Sequence, residues 1–313
     1  MSAQRGRRDH YLPQGYLRGF VDPARENEDK PLWKLDIASR QWAERSTKAV
    51  GFIDGFYDYA GEGPEVEQLP SADNAFSKLE NEFPIVRDKL LSLRKKGFRN
   101  WTRHLDFLLR YMDMIRARSP MYFAHREAAW KATPTWIIDK VDGNKITVKS
   151  MEGSPPPDDF IKNKTISEMR EEIQKNGAWL WGFNWALRYT ESVTEPFVTN
   201  EAPLVADEIP KSVPETEALQ HPDTLLYFPV CWQVCMFGSL RRFDRGTDKL
   251  NSDDMKVARR KYRFFAQDFL ISPTKLDDIT DYCGTGVAAE TVPASATAAH
   301  ANESLALPVK GTD

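Results

Sequence analysis

The chain has 313 residues, of which 41% are hydrophobic and 28% are charged, and its formal net charge is −3 at pH 7. These values are typical of a globular protein with a substantial core, and the negative net charge argues against nucleic-acid binding over the whole surface. No apolar run approaches the roughly 20 residues of a membrane helix. Residues 1–8 are polar and basic, without the apolar stretch of a secretory signal. We therefore expect a cytoplasmic location and no membrane contact.

The three cysteines form an odd-numbered set without the paired spacing of a zinc site. Cys231 and Cys235 lie in an apolar, strand-like run, and Cys283 stands apart from them near the carboxyl end. Reduced thiols that are buried in an intracellular protein are therefore expected.

The most distinctive stretch, residues 10–20, reads His-Tyr-Leu-Pro-Gln-Gly-Tyr-Leu-Arg-Gly-Phe. Pro13 fixes its own φ and favours an extended entry, after which apolar residues at helical spacing predict one short helical turn. His10 lies just before this turn. Its imidazole fits a general base, a metal ligand or a proton shuttle, because its ordinary pKa is near working pH. Alternatively, backbone groups simply satisfy the ring nitrogens.

In the first part of the chain, alternating apolar and polar residues predict a half-buried strand over residues 32–37. Residues 41–47 are expected to return as its antiparallel partner. A helix is predicted from Asp73 onward, with Glu80 beside its apolar face.

The spacing of apolar residues most clearly predicts a helix over residues 100–118, with Asn100 as its N-cap. Pro120 should break or kink this helix. A β-hairpin is predicted over residues 136–149, because Asp142-Gly143-Asn144 is a tight-turn sequence.

Farther on, the capping-box motif Thr165-x-x-Glu168 predicts the start of a helix whose apolar face extends to Leu187. Two short apolar strands follow over residues 225–237. A last helix is predicted to be capped by Ser252, to carry Phe269 on its buried side and to stop at Pro273.

These elements predict a helix-dominated α+β fold with a small antiparallel sheet. We expect one domain over residues 10–280, preceded by a flexible basic arm over residues 1–9. Residues 281–313 are rich in Ala, Thr, Ser and Gly, and we expect this tail to be disordered.

The stretch over residues 10–20 resembles the opening signature of a mainly bacterial family, the domain-of-unknown-function family 4238, which reads His-Tyr-(Val/Leu/Ile)-Pro-Gln-x-Tyr-Leu-x-x-Phe. Later segments resemble further elements of the family: Phe56-Tyr57, Leu79-Glu80, Arg118-Ser119-Pro120, Phe228-Pro229 and the segment Phe197 to Pro203. In the last segment, Asn200 and Glu201 stand where the family usually has serine and aspartate. The resemblance implies no established activity.

Candidate site residues come from these family-like segments. We interpret His10, Arg118 and Glu201 as catalytic candidates, with His10 as base or metal ligand, Glu201 as metal ligand or base, and Arg118 as the clamp for an anion. Glu80 and Glu201 are candidate ligands of a divalent metal ion. The candidate substrate-binding residues are Gln14, Tyr57, Thr199 and Asn200. Alternatively, Tyr57 packs at a strand end, and Thr199 and Asn200 cap a turn.

Two functions remain open. The first is a hydrolase, with a metal-dependent hydrolase or nuclease as the candidate type, that acts on a phosphodiester or another anionic substrate through His10, Arg118 and Glu201. The second is a non-catalytic interaction protein in which the same residues form a polar network in the core. Nucleic acid is a candidate partner, because residues 87–110 carry eight Lys or Arg against two Asp, and residues 241–263 carry nine against four.

Overall fold

The structure, a computed structural model, has the predicted α+β architecture. It describes residues 8–60, 72–132, 135–142, 145–151, 156–175, 177–207, 221–241, 247–280 and 282. Nearly all of the predicted arm and tail therefore lies outside the described residues, and the domain boundaries stay a prediction. Among the described residues, no helix combines the length and the hydropathy needed to cross a membrane.

The helices range from one turn to six turns. They are α1 (Gln14–Leu17), α2 (Ala72–Ser92), α3 (Leu105–Arg118), α4 (Pro120–Ala132), α5 (Asp158–Gln174), α6 (Ser252–Phe265) and α7 (Asp277–Thr280). Short 3-10 turns continue α2 over Leu93–Lys96 and precede α3 over Trp101–His104.

Thirteen described strands form four small sheets. They are β1 (Arg8–His10), β2 (Leu32–Asp36), β3 (Gln41–Arg45), β4 (Phe52–Asp54), β5 (Thr135–Asp142), β6 (Lys145–Met151), β7 (Asn184–Tyr189), β8 (Thr199–Asn200), β9 (Val205–Asp207), β10 (Leu225–Cys231), β11 (Val234–Ser239), β12 (Thr247–Lys249) and β13 (Phe269–Ser272). The sheet orders are β1-β4, β12-β7-β11-β10-β9, β3-β2-β13-β8 and β5-β6. All described neighbours are antiparallel except β12 and β7.

Several local predictions are confirmed. β2 and β3 pair in antiparallel register as expected, β10 and β11 form the two apolar strands, and β5 and β6 form the predicted hairpin. Cys231 and Cys235 are free and buried, and burial raises the pKa of the Cys231 thiol to about 11. Cys283 lies outside the described residues.

Five predicted helix boundaries are wrong, and two of them are the starts of α3 and α5. Asn100 adopts a left-handed φ of 62° and makes no side-chain cap, so α3 begins only at Leu105. Thr165 lies within α5, because Pro157 and the acidic first turn already start that helix at Asp158.

The helix from Thr165 does not reach Leu187, since Gly177 takes a left-handed φ of 65° after α5 and β7 follows. The last helix is capped by Asn251, whose side chain accepts a hydrogen bond from the Asp254 amide. It ends at Phe265, and Phe269 belongs to β13.

Two clusters of buried apolar side chains form the core. The larger one joins the amino-terminal segment to α2, α3 and the five-stranded sheet, and the smaller one lies where α6 packs against the four-stranded and five-stranded sheets. The segment over residues 10–20 is therefore at the centre of the larger cluster, with Leu12, Tyr16, Leu17 and Phe20 fully buried.

Candidate active site

Backbone pairing on both sides of Tyr11 fixes the position of His10. β1 pairs with β4, and His10 lies opposite Phe52. The Leu12 amide then donates to the carbonyl of Gly51 at 3.1 Å. Gly51 has φ of +67°, and a Cβ there would lie 2.6 Å from the Leu12 Cβ, so the close approach requires glycine. The extended entry that Pro13 favours is thus held as one strand of a two-stranded sheet.

The short helix α1 begins where predicted and anchors Tyr16 in the core. The amides of Tyr16 and Leu17 donate to the carbonyl of Pro13 at 2.9 and 3.0 Å. The Tyr16 hydroxyl donates to the carbonyl of Pro229 at 2.9 Å and forms a second hydrogen bond with the Thr199 hydroxyl at 2.9 Å. Thr199, predicted to bind substrate, is completely buried and engaged with a tyrosine of the amino-terminal segment.

Arg118, the last residue of α3, joins three predicted site residues. Its Nε donates to the Tyr57 hydroxyl at 2.9 Å, its Nη2 donates to the backbone carbonyl of His10, and its Nη1 forms an ion pair with the Glu80 carboxylate. The guanidinium also lies 4.2 Å from the centre of the Phe76 ring. Arg118 is only 2% exposed, so protein groups surround the guanidinium almost completely.

The His10 ring is half-buried beside Phe52. Arg118 makes its hydrogen bond with the backbone carbonyl of His10 and not with this ring. Burial lowers the pKa of His10, the nearby charges of Arg118 and Arg8 lower it further, and a hydrogen bond with the Lys48 backbone opposes this effect. The ring is therefore neutral at pH 7. Its Nε2 has no hydrogen-bond partner among the described residues, so Nδ1 makes the bond to the backbone.

Glu201 follows β8 and binds backbone amides. Its carboxylate accepts hydrogen bonds from the amides of Gln267 at 2.5 Å and Phe269 at 3.3 Å, just before and at the start of β13. Burial raises the pKa of Glu201, and these amides partly offset the effect. Glu201 is 6% exposed. Its direct contacts thus fix the junction between β8 and β13.

Asn200 makes a local turn of the kind that the alternative interpretation expected. Its Oδ1 accepts from the Ala202 amide at 3.0 Å, and its Nδ2 donates to the carbonyl of Tyr262 at 3.4 Å. The residue is completely buried. Gln14, by contrast, is half-buried at the start of α1, with no side-chain hydrogen bond to another described residue.

Tyr11 brings the Glu201 region near the amino-terminal segment. Burial raises the pKa of the Tyr11 phenol, and the charges of Glu201 and Asp268 raise it further, which requires that these carboxylates lie within electrostatic range of the phenol. Tyr11 is 5% exposed. The ring therefore lies near the predicted catalytic glutamate, while the neighbouring His10 carbonyl contacts Arg118.

The two predicted metal ligands have separate direct partners. Glu80 pairs with Arg118, whereas Glu201 accepts from main-chain amides. In the part of the chain that the structure describes, no group of three or more His, Cys, Asp or Glu side chains is arranged to hold a metal ion.

Asp9 is a member of this network that the sequence interpretation missed. It is 3% exposed, and its Oδ2 accepts a hydrogen bond from the Tyr57 amide at 2.9 Å. Asp9 thereby holds the backbone of the residue whose hydroxyl meets Arg118. No sequence pattern marks Asp9, because its inward position between two less buried neighbours depends on the pairing of β1 with β4.

Comparison with known proteins identifies the family of the chain. Searches of curated proteins and of solved structures return no match. A family model described as "Protein of unknown function (DUF4238)" matches residues 8–275, which include every predicted site residue. The chain therefore belongs to the DUF4238 family of proteins of unknown function.

Proposed function

We propose that the chain is a non-catalytic interaction protein whose family-like residues form a polar network that specifies the core. The carrying observation is the state of Arg118: its guanidinium is buried, and its nitrogens meet the His10 carbonyl, the Tyr57 hydroxyl and the Glu80 carboxylate. A guanidinium that clamps a substrate anion must leave donors facing an accessible space. Arg118 instead makes the contacts of a structural cation.

The surroundings of the network support the same function. Tyr11, Tyr16 and Phe20 are 5%, 0% and 0% exposed, so aromatic rings close over the segment that carries His10. Both Glu201 oxygens accept from main-chain amides, which leaves this carboxylate poorly placed to activate water. Buried polar groups that are satisfied in this way favour one fold.

Nucleic acid is the partner class that we propose, bound through the first of the two basic segments. In the second segment, Arg259 is buried against Asp278 and Lys261 pairs with Asp207. The first segment has four exposed cations without an ion pair to a described residue: Lys89, Lys96, Arg99 and Arg103. Unneutralised cations are the groups that bind phosphates by releasing counterions.

One experiment separates binding from catalysis. Turnover is measured on a panel of nuclease and phosphoesterase substrates with Mg²⁺, Mn²⁺ or Zn²⁺, for the wild type and His10→Ala, and circular dichroism checks folding of both. We expect no turnover that depends on His10, together with nucleic-acid binding that His10→Ala retains. Loss of metal-dependent turnover in a folded His10→Ala protein would contradict the proposal.

The second candidate function is a hydrolase that acts on a phosphodiester or similar anionic substrate. The observation that favours it is the His10 ring, which is half-buried, neutral at pH 7 and carries a buried Nε2 without a hydrogen-bond partner among the described residues. This nitrogen carries the lone pair of a general base. Arg118 would stabilise the anion, and Glu201 would serve as metal ligand or base.

The pH dependence of turnover tests this candidate. Because the pKa of His10 is lowered, kcat/KM should hold its value below the ordinary pKa of histidine and fall only at more acidic pH. His10→Ala should abolish this acid limb while its circular dichroism spectrum stays that of the wild type. A pH profile that is unchanged in His10→Ala would exclude His10 as the base.

A further inference from the structure

A cluster of cations lies where the end of α2 meets the start of α3. We call it the basic corner, and it consists of Lys89, Arg94, Lys96, Arg99, Arg103 and His104. It spans the end of α2, the two 3-10 turns and the loop between them. Helix α2 contacts both 3-10 turns, so these segments form one surface.

Contacts between α2 and the second 3-10 turn bring residues from different elements together here. Burial lowers the pKa of His104, and the charges of Arg103 and Lys89 lower it further. Lys89 lies in α2, whereas His104 ends the second 3-10 turn. The fold therefore brings Lys89 and Arg103 within electrostatic range of the same imidazole. At the other end of the corner, the hydrogen bond and the charge of Lys249 lower the pKa of Glu191, and the charge of Arg94 adds a smaller effect in the same direction.

The acidic side chains nearest the corner already have cationic partners. Asp88 pairs with Arg87 at 2.9 Å, Asp106 pairs with Arg110 at 3.4 Å, and Glu191 pairs with Lys249 at 2.6 Å. The exposed Lys89, Lys96, Arg99 and Arg103 form no ion pair with a described residue. The corner therefore carries a surplus of positive charge on a protein whose net charge is −3.

Stabilisation of helix ends explains only some of these cations. Lys89 lies in the last turn of α2, where the partial negative charge of the helix end favours a cation. Arg103 and His104 instead precede the first turn of α3, where the partial positive charge disfavours one. Helix stability therefore gives no reason for a cation at Arg103.

A surface hollow of about 170 Å³ adjoins the corner and is lined by Leu91, Ser92, Arg94 and Gln233. This volume is several times the roughly 30 Å³ share of one water molecule, so it admits a phosphate group. Arg94 and the Gln233 amide are the donors, because the Ser92 hydroxyl already donates to the Lys89 carbonyl at 2.6 Å.

Backbone carbonyls at this helix end are partly satisfied, which lessens their repulsion of an anion. The Gly97 amide donates to the Arg94 carbonyl at 2.9 Å, and the Phe98 amide donates to the Leu93 carbonyl at 3.0 Å. Gly97 takes the left-handed φ of 60° that such a helix end requires. The Arg94 side chain thus becomes the main charged group at the hollow.

The exposed residues in and around the corner distinguish among polyanionic partners. Between residues 88 and 106 they are polar, charged or glycine wherever side chains are described: Asp88, Lys89, Ser92, Lys96, Gly97, Arg99, Asn100, Thr102, Arg103 and Asp106. A surface that inserts into an anionic membrane needs apolar side chains among its cations. A platform for single strands needs exposed aromatic rings. Phe98 and Trp101 are buried, so neither requirement is met.

We propose that the basic corner binds the sugar-phosphate backbone of double-stranded nucleic acid, with one phosphate in the hollow beside Arg94. The inference rests on the proposed function as an interaction protein with a nucleic-acid partner, and it names the surface and the form of nucleic acid. Recognition through phosphates alone makes the binding independent of base sequence and strongly dependent on salt.

The test compares two charge-matched double variants of the full chain. Arg99→Gln/Arg103→Gln removes two exposed cations from the corner. Lys256→Gln/Arg260→Gln removes two cations from α6, the half-buried Lys256 and the exposed Arg260. Fluorescence anisotropy over a series of salt concentrations measures binding to a duplex DNA, a duplex RNA and a single strand of equal length, and co-sedimentation measures binding to phosphatidylserine vesicles. Circular dichroism checks that each variant is folded.

We expect the wild type to bind a duplex more tightly than the single strand or the vesicles. The corner variant should lose on the order of 10- to 100-fold in duplex affinity at low salt, and the slope of log affinity against log salt should become shallower by about two. The α6 variant should change duplex affinity less than about threefold, and Arg94→Gln should make the slope shallower by about one. The two duplexes distinguish DNA from RNA as the source of the phosphates.

Three results would overturn the inference. Equal losses in the corner and α6 variants would refute the assignment of the surface and leave a nucleic-acid partner standing. Tighter binding to the single strand would refute the duplex. Failure of the wild type to bind any nucleic acid, with or without binding to vesicles, would refute both this inference and the proposed partner class.

Discussion

Arg118 and Arg103 are the same residue type in opposite surroundings. Arg118 is 2% exposed and meets a carboxylate, a carbonyl and a phenol. Arg103 is exposed, and its Nε donates a hydrogen bond to Nε2 of the neighbouring His104 at 3.2 Å. Burial without partners costs several kcal/mol for a charge, so Arg118 must be neutralised within the fold. Arg103 is solvated instead and stays available to a partner.

Residues of the family-like segments thus differ from the residues that we expect to bind a partner. The former are fixed by contacts inside the core, and their loss should appear as a loss of stability. The latter are exposed at the basic corner, and their loss should appear as a loss of binding with the fold intact.

The largest expected effect is a loss of unfolding free energy in the variant Arg118→Met. This change leaves the Glu80 carboxylate and the His10 carbonyl without their cationic partner, and breaking a buried ion pair costs about 3–5 kcal/mol of unfolding free energy. Urea unfolding followed by circular dichroism measures it. The control is Arg110→Met in the same helix, whose i,i+4 pair with Asp106 contributes roughly 0.3–0.5 kcal/mol. Equal losses in the two variants would contradict the structural role of Arg118.

A smaller effect is expected from removing a hydroxyl that has partners. Tyr16→Phe leaves the Pro229 carbonyl and the Thr199 hydroxyl unpaired in the core, which should cost about 1–3 kcal/mol. Tyr111→Phe is the matched control, because its hydroxyl is also buried and has no partner among the described residues. We expect that change to be neutral or slightly stabilising in the same urea experiment. A larger loss from Tyr111→Phe would show that the hydroxyl of Tyr111 is engaged.

Glu201 should give the folded protein a characteristic dependence on pH. Its folded-state pKa is raised by burial, so the native state holds the proton more tightly than the unfolded chain does. This contribution to stability is therefore present at acidic pH and is lost as pH rises from the ordinary glutamate pKa through the raised one. Glu201→Gln cannot titrate, so its unfolding free energy lacks this decrease with rising pH.

The measurement is the unfolding free energy of the wild type minus that of Glu201→Gln across this pH window. We expect the difference to fall as pH rises. Asp268 lies near enough to add to the effect, because its charge also raises the pKa of Glu201. A difference that rises with pH would mean that the amides of Gln267 and Phe269 outweigh the burial of the carboxylate.

The smallest expected effect is a shift at His104 in the basic corner. Burial and the charges of Arg103 and Lys89 lower its pKa, so Arg103→Gln should raise the pKa toward its ordinary value. Phosphate binding at the corner should raise it as well. Nuclear magnetic resonance titration of the imidazole follows both changes, with the His125 signal as a reference. An unchanged His104 pKa in Arg103→Gln would mean that the two groups are not close in solution.

Local sequence patterns predicted much of the fold. Strands β2 and β3, the hairpin of β5 and β6, and the body of α2 follow from spacing that is visible within a few residues. The strands β7 and β13 were missed, because their apolar residues also fit a helical face. Their strand conformation depends on neighbours far along the chain, such as β11 for β7 and β2 for β13.

Some contacts among the candidate residues were predicted by residue, and none was predicted by atom. The sequence led us to expect His10 and Arg118 together, and the structure joins them through the His10 carbonyl, whereas the imidazole makes a separate contact. Glu201 was expected to face a substrate or metal, yet its oxygens accept from amides of a strand that was not predicted. Residue type does not specify which atom meets which neighbour.

The contacts of α1 have a consequence for synthesis of the chain. Tyr16 donates to the carbonyl of Pro229, and the Trp232 amide donates to the carbonyl of Gly19, so an amino-terminal segment is completed by residues made more than 200 positions later. Until the ribosome has added Pro229 and Trp232, this segment lacks the backbone groups that it binds in the folded protein. The earliest part of the core to be translated is therefore among the last to close, and nascent chains that stop before Pro229 should expose it to chaperones and proteases.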